Sequence, residues 1–340
     1  MKSVGVVDIA REAGVSTATV SRVLNGSAKV SERTRDHVMA VIDRHDFRLN
    51  VSASTLRRGR SKTVGLAVAS ISQPWYVKLI RELRNAITEH GYTTVVYDLE
   101  HNSRVLIEHT ESARTLKLAG MIIATGDRLD GVDVRDSLER LAATVPLVVI
   151  GQKLPEAQWS TVQFDDARAS EDAARELLRA RHRPLLFIGR SERSYLAEER
   201  SIGVRRALLE FPTLRDDSRF YELGQSMDFE AGYAAASGIG EGLRAYGSVF
   251  CVNDELALGV CRFASELGIR VPDDLMVLGY GDIDVLPYVT PSLSSVSGDA
   301  HLVAADALQA LLARIDGSGD AVERIHTRQI VHRESTSTAD

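Results

Sequence analysis

Residues 6–30 read VVDIAREAGVSTATVSRVLNGSAKV, and their spacing decides how the chain begins. Val6, Ile9, Ala10 and Ala13 fall at i, i+3, i+4 and i+7, one face of a helix. Val20, Val23 and Leu24 resume the pattern after a break at Gly14-Val15-Ser16. Glycine suits the break because it takes positive φ without steric cost. Ser16 stands where an N-cap belongs, its hydroxyl free to accept from the next helix's first amides. Two short helices across a glycine turn make a helix-turn-helix, whose second helix enters a DNA major groove.

The outer face of that second helix carries Thr17, Ala18, Ser21, Arg22 and Asn25, all short or hydrogen-bonding. Arg22 is the base reader, since a guanidinium bonds guanine O6 and N7 together. The bland alternative is that Arg22 only solvates a helix. Thr17 and Ala18 tune which bases are preferred, and Ser16, Ser21 and Asn25 face phosphates. Charge is asymmetric in the same sense. The chain holds 41 basic and 47 acidic residues, a net of −6. Residues 1–62 alone hold 12 basic and 6 acidic, leaving 29 and 41 for the rest. A basic head on an acidic body is the electrostatic footprint of a DNA-binding arm.

The run AGVSTATVSRVLNG (13–26), followed by VSERTR (30–35) and Val38, resembles the DNA-binding signature of the lac repressor (LacI) family of bacterial transcription regulators. The resemblance implies a third helix in which Val38, Val41 and Ile42 bury against the first two. One departure is Gly5, where the family commonly has Thr before the first helix.

Between head and body lies NVSASTLRRGRSK (50–62), rich in Ser and Arg. On composition alone it is a flexible tether. The resemblance implies a hinge that folds only on operator DNA. Leu56 matches the family leucine that wedges into the minor groove, Ala53 lies one turn before it, and Arg57 can hold phosphate beside it. Prying a base step apart costs a few kcal/mol, offset by added contacts. Leu49 and Ser54 depart from the family's usual Pro and Arg or Gln. Ser52, Ser54 and Thr55 are weak helix formers, so the hinge is expected to be disordered in isolation.

From residue 63 to 334, apolar runs at 64–69, 94–97, 121–124, 147–150, 185–188, 249–252 and 275–278 alternate with helical patterns such as 77–90, 167–179 and 256–267. Alternation predicts parallel α/β sheets covered by helices on both faces, and the length predicts two subdomains. PWY (74–76), ERSIG (199–203), NDELALG (253–259), VPDD (271–274), GYGD (279–282) and REST (333–336) resemble the sensor domain of the same family, which is similar to periplasmic sugar-binding proteins. The fold class implied is an all-α helix-turn-helix head plus a sensor of two doubly wound α/β subdomains. Three crossovers are expected near 163, 293 and 325. The N-subdomain is then about 63–163 with 294–324, and the C-subdomain about 164–293 with 325–334. The head is 1–49, the hinge 50–62 and a frayed tail 335–340.

Ligands in open α/β sheets bind beyond the carboxyl ends of strands. Trp75 and Tyr76 follow such an end and offer flat faces, against the plainer reading of ordinary packing. The resemblance gives Arg200 as a fork of donors for hydroxyls or carboxylates and Asn253 as a cleft amide. Asp254 reads as the cap of the helix that follows. Phe164 and Asp165 sit at a crossover and are expected to line the cleft, with Ser70, Met227 and Asp282 as further ligand-binding candidates. Two Asp residues frequent in the family are absent: Gly281 and Gly151 stand in their places, and Met227 aligns with a stacking aromatic. Losing two hydroxyl acceptors makes a plain hexose less secure, and a phosphorylated or otherwise anionic ligand more plausible.

No Gly-x-Ser-x-Gly elbow, phosphate loop or dinucleotide fingerprint is present in the sequence, so no catalytic residue, cofactor or metal is expected. The nine histidines lack metal-ligand spacing, and His101 and His109 read as a solvated helix face. The two cysteines fit small buried hydrophobes in a reducing cytosol. No signal region or membrane span is read, so the expected location is cytoplasmic. The expectation is a homodimeric regulator, most simply a repressor, with a palindromic DNA operator and a small-molecule effector as partners. The alternatives are a ligand-controlled activator and an α/β enzyme fused to a DNA-binding head. No leucine heptad follows residue 334 to build a tetramer.

Overall fold

The computed structural model describes residues 5–24, 29–45, 61–189, 193–224 and 226–337. The chain divides into two units, Met1–Ser61 and Lys62–Asp340. The first unit holds α1 (Val6–Glu12), α2 (Thr17–Leu24) and α3 (Glu32–Arg44). Gly5 supplies no side chain at the start of α1, and Asp8 compensates by accepting from its amide at 2.9 Å. Gly14 takes φ +63° in the turn. Ser16 then caps α2, its Oγ accepting from the Thr19 amide at 3.1 Å. Ser31 caps α3 in the same way. Ile9, Ala10, Ala13, Val20 and Val23 close on Val38, Val41 and Ile42 in one small core. Asn25 of the recognition face, and Ala53, Leu56 and Arg57 of the hinge, lie outside the described residues.

The second unit opens with β1 (Thr63–Val68), α4 (Pro74–Glu89), β2 (Thr93–Asp98), α5 (Ser103–Thr115), β3 (Gly120–Ala124), α6 (Val132–Ala142), β4 (Leu147–Ile150) and β5 (Ser160–Phe164). It continues through α7 (Asp166–Arg181), β6 (Leu185–Gly189), α8 (Tyr195–Leu208), the short α9 (Pro212–Arg215), β7 (Arg219–Glu222), α10 (Phe229–Ile239), β8 (Ser248–Cys251), α11 (Asp254–Glu266), β9 (Met276–Tyr280) and β10 (Ser294–Ser297). It closes with α12 (Ala300–Ile315), β11 (Glu323–His326) and β12 (Gln329–Val331). One sheet has the order β11-β5-β4-β3-β1-β2 and the other β12-β10-β9-β8-β6-β7. The pairs are parallel except β12, which runs antiparallel to β10. β1 buries Val64, Leu66 and Val68 on the face covered by α4 and α12, while Ala67 joins the core under α5 and α6. A strand covered on both faces reads as an unbroken apolar run, which is why these strands were visible in the sequence.

The crossovers fall a few residues later than expected. The chain passes between lobes at Asp165, at Gly298–Asp299 and at Thr327–Arg328. Ser294 pairs with Leu278, which keeps β10 in the second sheet, and Ile325 pairs with Gln163, which keeps β11 in the first. Both strands are polar enough to pass for linkers. The start of the tail, residues 335–337, is also corrected. Ser335 is fully buried, its Oγ donating to the Val277 carbonyl at 2.7 Å and accepting from the Ser294 amide at 2.8 Å. A serine that satisfies two buried backbone groups anchors the segment rather than letting it fray.

α7 and α8 cross closely because α8 presents Gly203, where a Cβ would run into the Ala167 carbonyl oxygen. This contact lies one turn from Arg200 and one residue from Asp166, so it fixes the separation of two groups used below. Gly203→Ala should cost about 1–3 kcal/mol by overpacking, visible as a lower Tm in thermal unfolding. An unchanged Tm would show that the crossing has slack.

Candidate functional site

A cavity lies between the two lobes of the second unit, at the carboxyl ends of β1, β3, β6, β8 and β9. The first lobe contributes Trp75 and Tyr76 from the start of α4. The Tyr76 hydroxyl accepts from the Gly126 amide at 3.0 Å, and burial pushes its pKa upward. Trp75 stands edge-on to Tyr76, with ring centroids 5.2 Å apart. Its indole N–H is buried without a partner. His101 also lines the cavity, its Nδ1 2.9 Å from Asp127. His101 is therefore not part of a solvated helix face. It precedes α5 with a positive φ of 52°, and His109 packs against Tyr97.

The second lobe supplies the charges. Arg200 of α8 donates from Nε to Asp166 Oδ1 at 3.0 Å and from Nη1 to the Val252 carbonyl at 2.5 Å. Its guanidinium lies 3.7 Å from the Tyr280 ring centroid. Arg328, on the third crossover, reaches the same carboxylate oxygen at 3.4 Å and stacks 3.7 Å from the Phe164 ring centroid. Burial raises the pKa of Asp166, but Arg328 and Arg200 outweigh it and hold the group below the usual carboxylate range. Asn253 lines the cavity yet has both amide ends engaged. Its Oδ1 caps α11 through the Leu256 amide at 3.0 Å, and its Nδ2 donates to the Met227 carbonyl at 2.7 Å. Asn253, not Asp254, is therefore the cap. Asp254 is fully buried and accepts from Ser295 Oγ at 2.6 Å and the Ile283 amide at 3.0 Å. Burial raises its pKa to about 6.

Trp75, Tyr76, Arg200, Met227 and Asn253 thus share one cavity, whereas Ser70, Phe164, Asp165 and Asp282 do not line it. Ser70 bonds Ser72 Oγ at 2.7 Å. Asp165 is spent capping α7, and Phe164 supports Arg328 from beneath. Asp282 pairs with Arg333 at 2.7 Å. Sequence reasoning missed Arg328, Asp166, Asp127 and Glu255. Asp166 was signalled by the crossover at Phe164 and Asp165, and Glu255 by its place in the first turn of α11, whereas nothing in the sequence pointed to Arg328. The absent carboxylates have a backbone cause. Gly151 and Gly281 adopt φ +120° and +125°, conformations an L side chain rarely takes.

The lobes also touch beside the cavity. The Gly126 carbonyl accepts from Ser194 Oγ at 3.1 Å and the Leu196 amide at 3.3 Å, and the Arg128 amide donates to the Arg193 carbonyl at 3.2 Å. Arg128 also pairs with Glu198. In the first unit, Ser16, Thr17, Ala18 and Arg22 are exposed and Ser21 is half-buried.

A helix-turn-helix unit and a two-lobed, cleft-bearing α/β unit on one chain define a ligand-sensing, DNA-binding regulator. Residues 6–50 match the family described as bacterial regulatory proteins, lacI family, and residues 174–336 match the periplasmic binding protein-like domain. The chain is 27% identical to the ribose operon repressor of Haemophilus influenzae over 308 residues, 91% of each chain. It is similar to a transcriptional regulator CelR–cellobiose complex, with TM-score 0.70 and 26% identity, covering 98% of this chain and 99% of that one. The lac repressor dimer bound to operator and an anti-inducer shares the fold at TM-score 0.83 and 22% identity, over 99% of this chain and 100% of that one. The chain thus carries a helix-turn-helix domain of the lac repressor (LacI) family together with a periplasmic-binding-protein-like domain. No helix among the described residues is long and apolar enough to cross a membrane.

Glu255 lines the cavity and is 5% exposed, and burial raises its pKa to about 7. An acid whose folded pKa is raised adds stability that is present below its unfolded pKa and lost as pH climbs through the folded one. For Glu255 that window runs from 4.5 to about 7, and Asp254 acts in the same direction. Glu255→Gln should therefore raise Tm over the parent at pH 8 but not at pH 4.5, a difference of at most about 3 kcal/mol. Equal Tm offsets at the two pH values would place the titration elsewhere.

Proposed function

We propose that this chain is a repressor that binds an inverted-repeat operator as a homodimer and is released from it or recruited to it by a small ligand in the interlobe cavity. The reading rests chiefly on one observation. The same chain carries an exposed Thr17–Arg22 helix face and a cavity whose buried donors, Trp75 Nε1 and Arg328 Nη1, have no partner. Relatives named as repressors, and a neighbour solved with cellobiose, point the same way. Arg22 reads bases, Thr17 and Ala18 tune the choice, and Ser16, Ser21 and Asn25 hold phosphates. Ala53, Leu56 and Arg57 form the hinge that wedges the minor groove. The head spans 1–49, the hinge 50–62 and the sensor 63–334, and the protein works in the cytoplasm, where its DNA is.

The purified chain, incubated with genomic fragments at moderate ionic strength, should select an inverted repeat. No preference for any fragment, with or without small-molecule extract, would sink the reading. Arg22→Ala should weaken the selected site by about 1–3 kcal/mol, roughly tenfold to a hundredfold. Binding to random DNA should fall far less. Equal loss on both would assign Arg22 to phosphate instead.

A further inference from the structure

The polar atoms of the cavity wall are unevenly matched. Among the cavity-lining residues described, two buried donors lack a partner, Trp75 Nε1 and Arg328 Nη1, whereas Arg328 Nε is committed to Asp166 and the Tyr280 hydroxyl faces the same carboxylate. Both belong to groups, an indole and a guanidinium, that only donate. A buried donor left unmet costs about 1–3 kcal/mol, so what fills the cavity should be rich in acceptors. Charge agrees. Arg200 and Arg328 converge on a single carboxylate, that of Asp166, and neither guanidinium can shed its proton. Arg328 is 3% exposed, so little water offsets its charge. Its side chain is held by the Phe164 ring on one side and by Gly298, where a Cβ would meet Nη1 at 2.8 Å. A planar fork held in place with Nη1 unspent is a seat for an oxyanion.

The other carboxyls of the cavity do not oppose this. Gly151 and Gly281 bring none. Asp127 is engaged by His101 and by Thr125 Oγ1 at 3.0 Å. Glu255 is faced by Asp254 on its own helix, Asp228 before α10, Arg200 on α8 and Tyr76 on α4. Burial raises its pKa to about 7, so near neutral pH it opposes an incoming anion less than an ordinary carboxylate would.

We propose that the effector is a small organic acid, a sugar-sized molecule bearing a carboxylate or phosphate, and that Arg328 is the specificity-determining residue that binds its acid group. This rests on the cavity being the effector site. Calorimetric titration of the full chain with gluconate, glucuronate, glucose 6-phosphate and neutral glucose tests it. At least one acid should bind about 100-fold tighter than glucose. Which acid wins tells carboxylate from phosphate. Arg328→Gln should bring that acid to the level of glucose. Arg328→Lys, which keeps the charge but loses the fork, should cost the acid about tenfold and leave glucose unchanged. Glucose binding as tightly as its acids, no binding by any acid, or an acid-to-glucose ratio unmoved in both variants would each overturn the proposal. Retained affinity for the selected inverted repeat shows that a variant has folded. If glucose binds and alters operator affinity, the regulator reading stands and only the anionic class fails. If nothing selects an inverted repeat, the regulator reading itself has failed.

Discussion

One buried carboxylate holds the cleft together. Asp166 is the first residue of α7, directly after the chain leaves the first sheet. Removing an ion of this size from water costs several kcal/mol even after relaxation. The cost is met by three sources of positive potential. Arg200 comes from α8, Arg328 from the third crossover, and the N-terminus of α7 adds its own partial charge. The two arginines are in turn oriented by rings, Tyr280 under one and Phe164 under the other. Because Phe164 ends β5 and Arg328 precedes β12, the cluster ties two of the three interlobe connections to the floor of the cavity. Loss of Asp166 would leave two buried cations unpaired, which is worse than the loss of one contact.

A second carboxylate, between the cavity-lining residues Asn253 and Glu255, performs a structural task. Asp254 sits at the start of α11 and reaches Ser295 on β10 and the amide of Ile283. It joins a helix, a strand and a loop that the sequence separates by up to 41 residues. Its hydrogen bonds favour the charged form while burial opposes it, and burial wins. Gly279 lies so close that a Cβ there would collide with the carboxylate. The glycine of the Gly-Tyr pair is thus explained by a neighbour and not by ligand binding.

Much of this was legible in the sequence, and the misses have physical reasons. The head is built from contacts within about 35 residues, so spacing, Gly14 and Ser16 sufficed for its helices. The central strands announced themselves because both faces are covered. The polar edge strands β10 and β11 did not, and their pairing displaced the expected crossovers. Asn253 and Asp254 are adjacent, short and polar, and either can cap a helix. Only the position of Ser295 decides which one turns inward. Arg328 went unread because a lone arginine between two three- or four-residue strands carries no pattern. Its role exists only once the third crossover is folded against the first.

The interlobe contacts set how easily the cavity opens. Arg128 and Glu198 are 34% and 40% exposed, and Lys78 meets Asp284 across the cleft at 30% and 65%. Exposed pairs of this kind contribute about 0–1 kcal/mol each. The hydrogen bonds from Ser194, Leu196 and Arg128 add about 1 kcal/mol apiece. These polar contacts between the lobes therefore contribute only a few kcal/mol, against which stands the entropy of an ordered clasp. A gap of that size is within reach of one ligand's differential affinity for the two arrangements. A tighter apolar seam between the lobes would have fixed the cleft in one state and left the ligand nothing to decide.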